Sequence, residues 1–304
     1  MNDETRCGFF TIIGAPNAGK STLLNRMVGA KIAIVTPKVQ TTRNRIVGIA
    51  LHSAAQLVFV DTPGIFSPKR RLERAMVDAA WSGATDNDGL VLLIDAHTIS
   101  NGIPNRDAQG IVTALKNQGR RAIVVLNKID AVERGSLLNL AAWVDAQGVA
   151  HSVFMVSALN GDGVTDLLDD LTARAPKGPW HYPKDQLSEI PLRQFASEIT
   201  REKLFMNLRQ ELPYALTVET EAWEERGDGS VKIDQVIYVR RDSQKKIVLG
   251  KSGQQIKKVG EDARTELEAL FERRVHLFLF VKVRDNWVDD PERYRAMGLD
   301  FPKG

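Results

Sequence analysis

The chain has 304 residues, enough for about two domains that each bury a core. Its 43% hydrophobic and 26% charged residues are ordinary for a soluble globular protein, and no apolar run approaches a membrane span. A formal net charge of +3 is too small to name a partner, so any nucleic-acid surface has to come from local clusters of charge. The opening residues, Met1 to Arg6, are polar and lack the apolar core of a secretory leader. Cys7 is the only cysteine, which rules out an internal disulfide and fits a reducing cytoplasm. It is expected to be a small buried apolar residue rather than a reactive thiol.

The run Phe9 to Ile13 is apolar and β-prone and predicts a buried strand. It leads into Gly14-Ala15-Pro16-Asn17-Ala18-Gly19-Lys20-Ser21, which reads G-x-x-x-x-G-K-[ST], with Thr22 directly behind it. The stretch Ser21 to Val28 then places Leu23, Leu24 and Met27 on one helical face. Strand, glycine loop and helix together predict a phosphate-binding loop. Its backbone N–H groups and the helix N-terminus would face phosphate oxygens. Lys20 would reach the β- and γ-phosphates, and the Ser21 hydroxyl would hold Mg²⁺.

Next comes Pro37-Lys38-Val39-Gln40-Thr41-Thr42-Arg43, polar and poor in helix signals. It reads as a switch segment ordered by γ-phosphate and Mg²⁺. Thr42 is the first choice for a Mg²⁺ ligand and Thr41 the second; spacing alone does not reject an ordinary surface loop whose threonines cap a turn. Apolar runs follow at Leu57–Val60, Leu90–Ile94, Ala122–Leu126 and Val153–Val156, with amphipathic helical stretches between them. That alternation predicts a doubly wound parallel α/β sheet, with ligands at the carboxyl ends of its strands.

The chemistry-bearing residues fall at those ends. Asp61-Thr62-Pro63-Gly64 follows one run, with Asp61 placed for Mg²⁺ and the Gly64 N–H for the γ-phosphate. Asn127-Lys128-Ile129-Asp130 follows another. Asp130 would accept from the N1–H and 2-amino groups of guanine, a donor pair adenine lacks, while Asn127 and Lys128 brace the loop. Read alone, Asp130 is better explained as a helix N-cap, but the preceding Asn127-Lys128 at a strand end weighs against that. The Ser157-Ala158 backbone would donate to guanine O6. Ile65, just after Gly64, is an alkyl side chain where a water-orienting glutamine stands in Ras-like enzymes, so hydrolysis is expected to be slow.

Pro176 to Pro183 has three prolines and a glycine and marks a domain boundary. Beyond it the pattern is one helix (Glu189 to Leu212), two alternating strands (from Leu216, and Val231 to Val239), two helices and a strand (Val275 to Val283). Gly250-Lys251-Ser252-Gly253, read as joining a strand to a short helix, resembles the G-x-x-G loop of a KH RNA-binding domain, and the order of strands, helix-loop-helix and strand matches the type II KH arrangement. Arg240, Arg241, Lys245, Lys246, Lys251, Lys257 and Lys258 cluster around it, with Asp242 the one acid in that stretch. A solvated charged face on a structural domain is the competing reading. The five histidines show no metal-ligand spacing.

Gly14–Ser21, Thr42, Asp61–Gly64, Asn127–Asp130 and Ser157-Ala158 match the five guanine-nucleotide motifs of translation-factor-like GTPases. The wording Gly-x-Pro-Asn-x-Gly-Lys-Ser, Gln-Thr-Thr-Arg and Asp-Thr-Pro-Gly resembles the bacterial Era family. So do Glu198–Leu204, Glu211–Tyr214 and Val275 to Trp287, and so does the order of one GTPase domain then one KH domain.

The resemblance implies a P-loop GTPase domain over residues 1–176, a linker over 177–190, and an α+β type II KH domain with a tail over 191–304. It implies hydrolysis of GTP to GDP and phosphate with Mg²⁺. Its implied partners are the 3′ end of 16S ribosomal RNA and the 30S subunit in assembly. It also implies a cytoplasmic protein with loose peripheral association at the inner membrane and no obligate protein partner. In related GTPases an asparagine at the place of Asn17 helps bind K⁺; the alternative is that Asn17 only permits a left-handed bend. An RNA-binding protein with a nearly inactive, regulatory GTP site is the alternative function. A small-molecule phosphotransferase is a weaker rival, opposed by Asn127–Asp130.

Overall fold

The structure is a computed structural model; it describes residues 5–38, 41–43, 45–68, 71–83, 87–285, 291, 294 and 299–301. Val39, Gln40, Trp287, the first four residues and most of the tail lie outside the described residues. The chain divides into two compact units.

The first unit comprises Met1–Ala33, Thr42–Glu189 and Tyr294–Gly304. Its elements are β1 (Arg6–Gly14), α1 (Lys20–Val28), β2 (Ile46–His52), β3 (Ala55–Asp61), α2 (Arg71–Ser82) and β4 (Gly89–Asp95). They continue with α3 (Arg106–Asn117), β5 (Ala122–Asn127), α4 (Arg134–Gln147), β6 (Ala150–Val156) and α5 (Val164–Arg174). The strands form one sheet in the order β2-β3-β1-β4-β5-β6. Side chains alternate across it, so each face has its own apolar core. Phe10, Ile12, Leu57 and Val125 meet Leu23 and Leu24 of α1 and Leu167 of α5. Ile13, Leu92 and Leu126 meet Ile111 of α3 and Leu140 of α4.

The sheet is mixed, which corrects the all-parallel expectation. β2 runs antiparallel to β3, with Ile46 opposite Asp61 and His52 opposite Ala55. Only two residues separate the strands, and so short a connection can only return antiparallel. Cys7 is buried, as expected. Residues 177–189 run along this unit: Gly178 N–H donates to the Thr5 carbonyl at 2.9 Å, Ile49 N–H to the Leu187 carbonyl at 2.9 Å, and Ser188 Oγ to the Val47 carbonyl at 2.7 Å.

The second unit comprises Ile34–Thr41 and Ile190–Arg293. Helix α6 (Leu192–Asn207) precedes β7 (Thr217–Glu225), β8 (Val231–Val239), α7 (Asp242–Leu249), α8 (Gln254–Phe271) and β9 (Val275–Val283). The three strands lie in that order, β7 and β8 antiparallel, β8 and β9 parallel. Leu204 of α6 and Val259 of α8 pack on Ile237, Val239 and Val281 of the sheet. The crossover from β8 to β9 carries the Gly250–Gly253 loop. Lys245–Leu249 is helical rather than a strand: Val248 alone of that helix is fully buried, and a strand there would have had to bury alternate residues against a partner. α8 is one helix of 18 residues, continuous through Gly260. α6 starts later than expected because Pro191 occupies its N-cap. Among the described residues no helix is long and apolar enough to cross a membrane.

Candidate functional site

The predicted phosphate loop joins β1 to α1, at the carboxyl end of the sheet. Gly19 caps α1 with φ +95, and a Cβ there would stand 2.3 Å from the Asn127 amide nitrogen, so only glycine fits. Asn17 takes a left-handed bend, φ +62. Lys20 is buried, and its Nζ donates to the Gly14 and Ala15 carbonyls at 3.2 and 3.1 Å. Burial lowers its pKa, and the nearby Asp61 charge opposes the shift. Ile65 N–H donates to the Gly14 carbonyl at 3.0 Å, which holds Gly64 beside Pro16. Thr62 Oγ1 donates to the Ile12 carbonyl at 2.9 Å, and Pro63 is buried next to it. Ile65 itself lies in the core.

Three oxygen-bearing side chains converge beside Lys20. Ser21 Oγ lies 2.7 Å from Asp61 Oδ2 and 2.8 Å from Thr42 Oγ1, and Thr42 Oγ1 is 3.3 Å from the same carboxylate oxygen. Thr41 turns elsewhere, to Thr36 Oγ1 and the Lys38 carbonyl, both at 2.9 Å. Asp61 is fully buried, and its Oδ1 has no hydrogen-bond partner among the described residues. Burial raises its pKa, chiefly opposed by Lys20. A buried carboxylate oxygen without a partner is costly unless a cation completes it. Two hydroxyls and a carboxylate are the hard oxygen donors Mg²⁺ takes, so the residues present fit that ion.

On the other side of the loop, Asn127 ends β5. Its amide nitrogen donates to the Ala18 carbonyl at 2.8 Å, and its amide oxygen accepts from Ala158 N–H at 3.0 Å. One buried side chain thus ties the phosphate loop to the loop after β6. Lys128 sits in left-handed backbone, φ 66, held by a 2.6 Å bond from Nζ to Asp95 Oδ2. These residues surround a cavity of about 210 Å³ lined by Gly19, Thr22, Asn127, Lys128, Asp130 and Leu159. Asp130 is exposed at its edge, and Ile129 beside it is half-buried. It caps no helix: the short turn Ile129–Ala131 is preceded by Lys128, and the residue before α4 is Glu133. The donors expected at Ser157-Ala158 are already engaged: Ser157 N–H bonds the Asp162 carbonyl at 3.0 Å, and Ala158 N–H bonds Asn127. A carbonyl such as guanine O6 would have to share the Ala158 donor. Asp95 was missed from sequence. Its signal was position: it ends β4 and lies in register with Asn127.

In the second unit the Gly250–Gly253 loop is strained on purpose. Gly250 (φ 72), Ser252 (φ 51) and Gly253 (φ 76) all have positive φ, and a Cβ on Gly250 would stand 2.6 Å from Gln255 Cβ. The result thrusts Lys251 and Ser252 into solvent. Arg240, Arg241, Lys246, Lys257 and Lys258 are exposed near it in sequence, and Lys245 is half-buried.

Comparisons with known proteins agree over both units. Residues 9–128 match the family described as 50S ribosome-binding GTPase, and residues 211–288 match the KH domain family. GTPase Era of Sinorhizobium medicae is 59% identical over 299 residues, covering 98% of this chain and 95% of that protein. GTPase Era of Brucella suis is 56% identical over the same share of both chains. This chain belongs to the Era family of GTPases. Two solved Era structures, each 34% identical and covering 97% of this chain and 99% of the other, carry the likeness to the fold. One, from Aquifex aeolicus, is bound to GDP.AlF4- and has a TM-score of 0.88; the other is in complex with MgGDPNP and nucleotides 1506-1542 of 16S ribosomal RNA, with a TM-score of 0.89. The chain is thus an Era GTPase with a P-loop domain and a KH domain, and it hydrolyses GTP.

Proposed function

We propose that the chain is a Mg²⁺-dependent GTP switch that binds the 3′ end of 16S ribosomal RNA through its KH domain and serves assembly of the 30S subunit in the cytoplasm. The observation that carries the nucleotide half is the Asn127 bridge, which fixes a phosphate loop and a base loop at one distance. The RNA half rests on the exposed, strained Gly250–Gly253 loop and on the Era relative whose structure holds that RNA.

In this reading Lys20 leaves the two loop carbonyls for the β- and γ-phosphates. Ser21, Thr42 and Asp61 would hold Mg²⁺, directly or through water; bound there it neutralises phosphate charge. Gly64 N–H meets the γ-phosphate. Asp130 accepts from N1–H and the 2-amino group of guanine, with the Ala158 N–H shared by O6. Water attacks the γ-phosphorus, the bond to the β–γ bridging oxygen breaks, and GDP leaves with the electron pair. Lys20 and the loop N–H groups stabilise the charge that builds on the leaving oxygen. The Ile65 side chain is core-bound and aliphatic, so it orients no water, and we infer that Asn17 would help hold a K⁺ ion that would supply positive charge near the phosphates.

The test is binding of a 16S 3′-end fragment in the presence of GDP or a non-hydrolysable GTP analogue, with single-turnover GTP hydrolysis measured alongside. The reading expects tighter RNA binding with the analogue. RNA affinity that ignores the nucleotide, with hydrolysis barely detectable, would mean an RNA-binding protein with a vestigial GTP site.

A further inference from the structure

One wall of the cavity beside Asn127 is the loop between β6 and α5, and its backbone donors are nearly all spent. Ser157 N–H bonds the Asp162 carbonyl at 3.0 Å and Ala158 N–H bonds the Asn127 amide oxygen at 3.0 Å. Asn160 N–H bonds the Ser157 hydroxyl at 3.1 Å and Gly161 N–H the Ser157 carbonyl at 2.7 Å. From Ser157 to Gly161, the Leu159 N–H alone has no partner among the described residues. Water or a ligand has to meet it. Ala158 and Leu159 both line the cavity.

The carbonyls on either side of this amide are held from outside the loop. Arg26, in the last turn of α1, donates from Nε to the Ala158 carbonyl at 3.2 Å and from Nη2 to the Leu159 carbonyl. A basic side chain in a last turn has a nearer use, on the carbonyls and dipole of its own helix. Here it crosses to another loop instead, and an exposed arginine held at two points gives up rotamer freedom to do so. The peptide bonds are trans, so each peptide unit is a plane with its oxygen and its N–H on opposite edges. Holding the Ala158 oxygen therefore fixes the Leu159 N–H and turns it away from the guanidinium. Holding the Leu159 oxygen fixes the next plane, whose N–H is the one on Ser157. A cation on a carbonyl also polarises the peptide unit and makes its N–H the stronger donor.

We infer that Arg26 is a positioning residue for base recognition: it aims the Leu159 N–H into the cavity, where that donor meets guanine O6 beside the shared Ala158 N–H. The inference rests on the reading of this cavity as the guanine site and deepens it. Adenine in the same place would bring its 6-amino group against a fixed donor with nothing to accept from it. Arg26 thus acts on position 6 of the base, as Asp130 does on positions 1 and 2.

The test titrates the full chain with GDP, with 6-thio-GDP, whose sulfur is a weak acceptor in place of O6, and with inosine diphosphate, which lacks only the 2-amino group. The unsubstituted chain is expected to bind GDP about fivefold more tightly than 6-thio-GDP, the weight of one hydrogen bond. In Arg26→Ala the affinity for GDP should fall about fivefold and that for 6-thio-GDP should stay, so the preference disappears. The preference for GDP over inosine diphosphate should survive, because Asp130 is untouched. Equal losses for GDP and 6-thio-GDP, which a merely structural role would give, or no loss, overturn the inference. If the variant does not fold, the Leu159 amide proton of the unsubstituted chain decides by nuclear magnetic resonance. A larger downfield shift with GDP than with 6-thio-GDP supports the inference, and equal shifts overturn it. Binding of ADP as tight as GDP by the unsubstituted chain would overturn the guanine site itself, and the inference with it.

Discussion

The nucleotide site of the first unit and the basic loop of the second are built on opposite plans. Lys20, Asp61, Thr42 and Asn127 are all buried, each bonded to another part of the site. Around Gly250–Gly253 most of the charged side chains stand in solvent, and the backbone carries the constraint. A site that must exclude water from reacting phosphates is made of groups that also hold the fold. A surface that meets a polyanion along its backbone needs only exposed charge and a close approach. Substitutions should therefore couple function to stability in the first unit and separate them in the second.

The sharpest separation is expected from Lys251→Asp with Ser252→Asp. Two carboxylates would replace attraction by repulsion where phosphates approach, and RNA affinity should fall by about a hundredfold or more at low salt. Both positions are exposed, and aspartate tolerates the left-handed backbone of Ser252, so the fold and GTP affinity should be unchanged. Titration with a 16S fragment and with GTP, beside a thermal melt, checks all three.

The opposite behaviour is expected of Asn127→Ala. It strips the buried Ala18 carbonyl and Ala158 N–H of their partner, so stability should drop by about 2 kcal/mol and GTP affinity by roughly tenfold together. Denaturant unfolding and nucleotide titration measure the pair. An affinity loss without a stability loss would break the contrast between the two regions.

A smaller effect is expected at Asn17. Hydrolysis should be about fivefold faster in K⁺ than in Na⁺, a modest share of the charge stabilisation such sites supply. Asn17→Gly keeps the left-handed bend and removes the amide, so it should abolish the difference between salts. A surviving difference would leave Asn17 a purely conformational role.

Much of the first region was legible in sequence because its residues are local: eight consecutive residues make the turn from β1 into α1, and Asn127 to Asp130 leave one strand end together. What was hidden depends on contacts across the chain. The strand Ile46–His52 was missed since a short apolar run interrupted by Gly48 carries no clear period; its pairing with β3 made it a strand. The element before Gly250 was read both as a strand and as the first half of a helix-loop-helix; packing of Val248 and Leu249 against the second unit's core made it a helix. The choice between Thr41 and Thr42 needed a contact to Asp61, 19 positions away.

The account depends most on an exposed carboxylate choosing guanine from a loop that buried residues hold in place. Asp130→Asn tests it directly. The asparagine amide can donate to the 2-oxo group of xanthine where aspartate accepted from the 2-amino group of guanine. Titration of this variant with GTP and xanthosine triphosphate should show GTP affinity reduced by roughly a hundredfold and a matching gain for xanthosine triphosphate. Unchanged GTP affinity, with no gain for xanthosine triphosphate, would remove Asp130 from the base site and contradict the account.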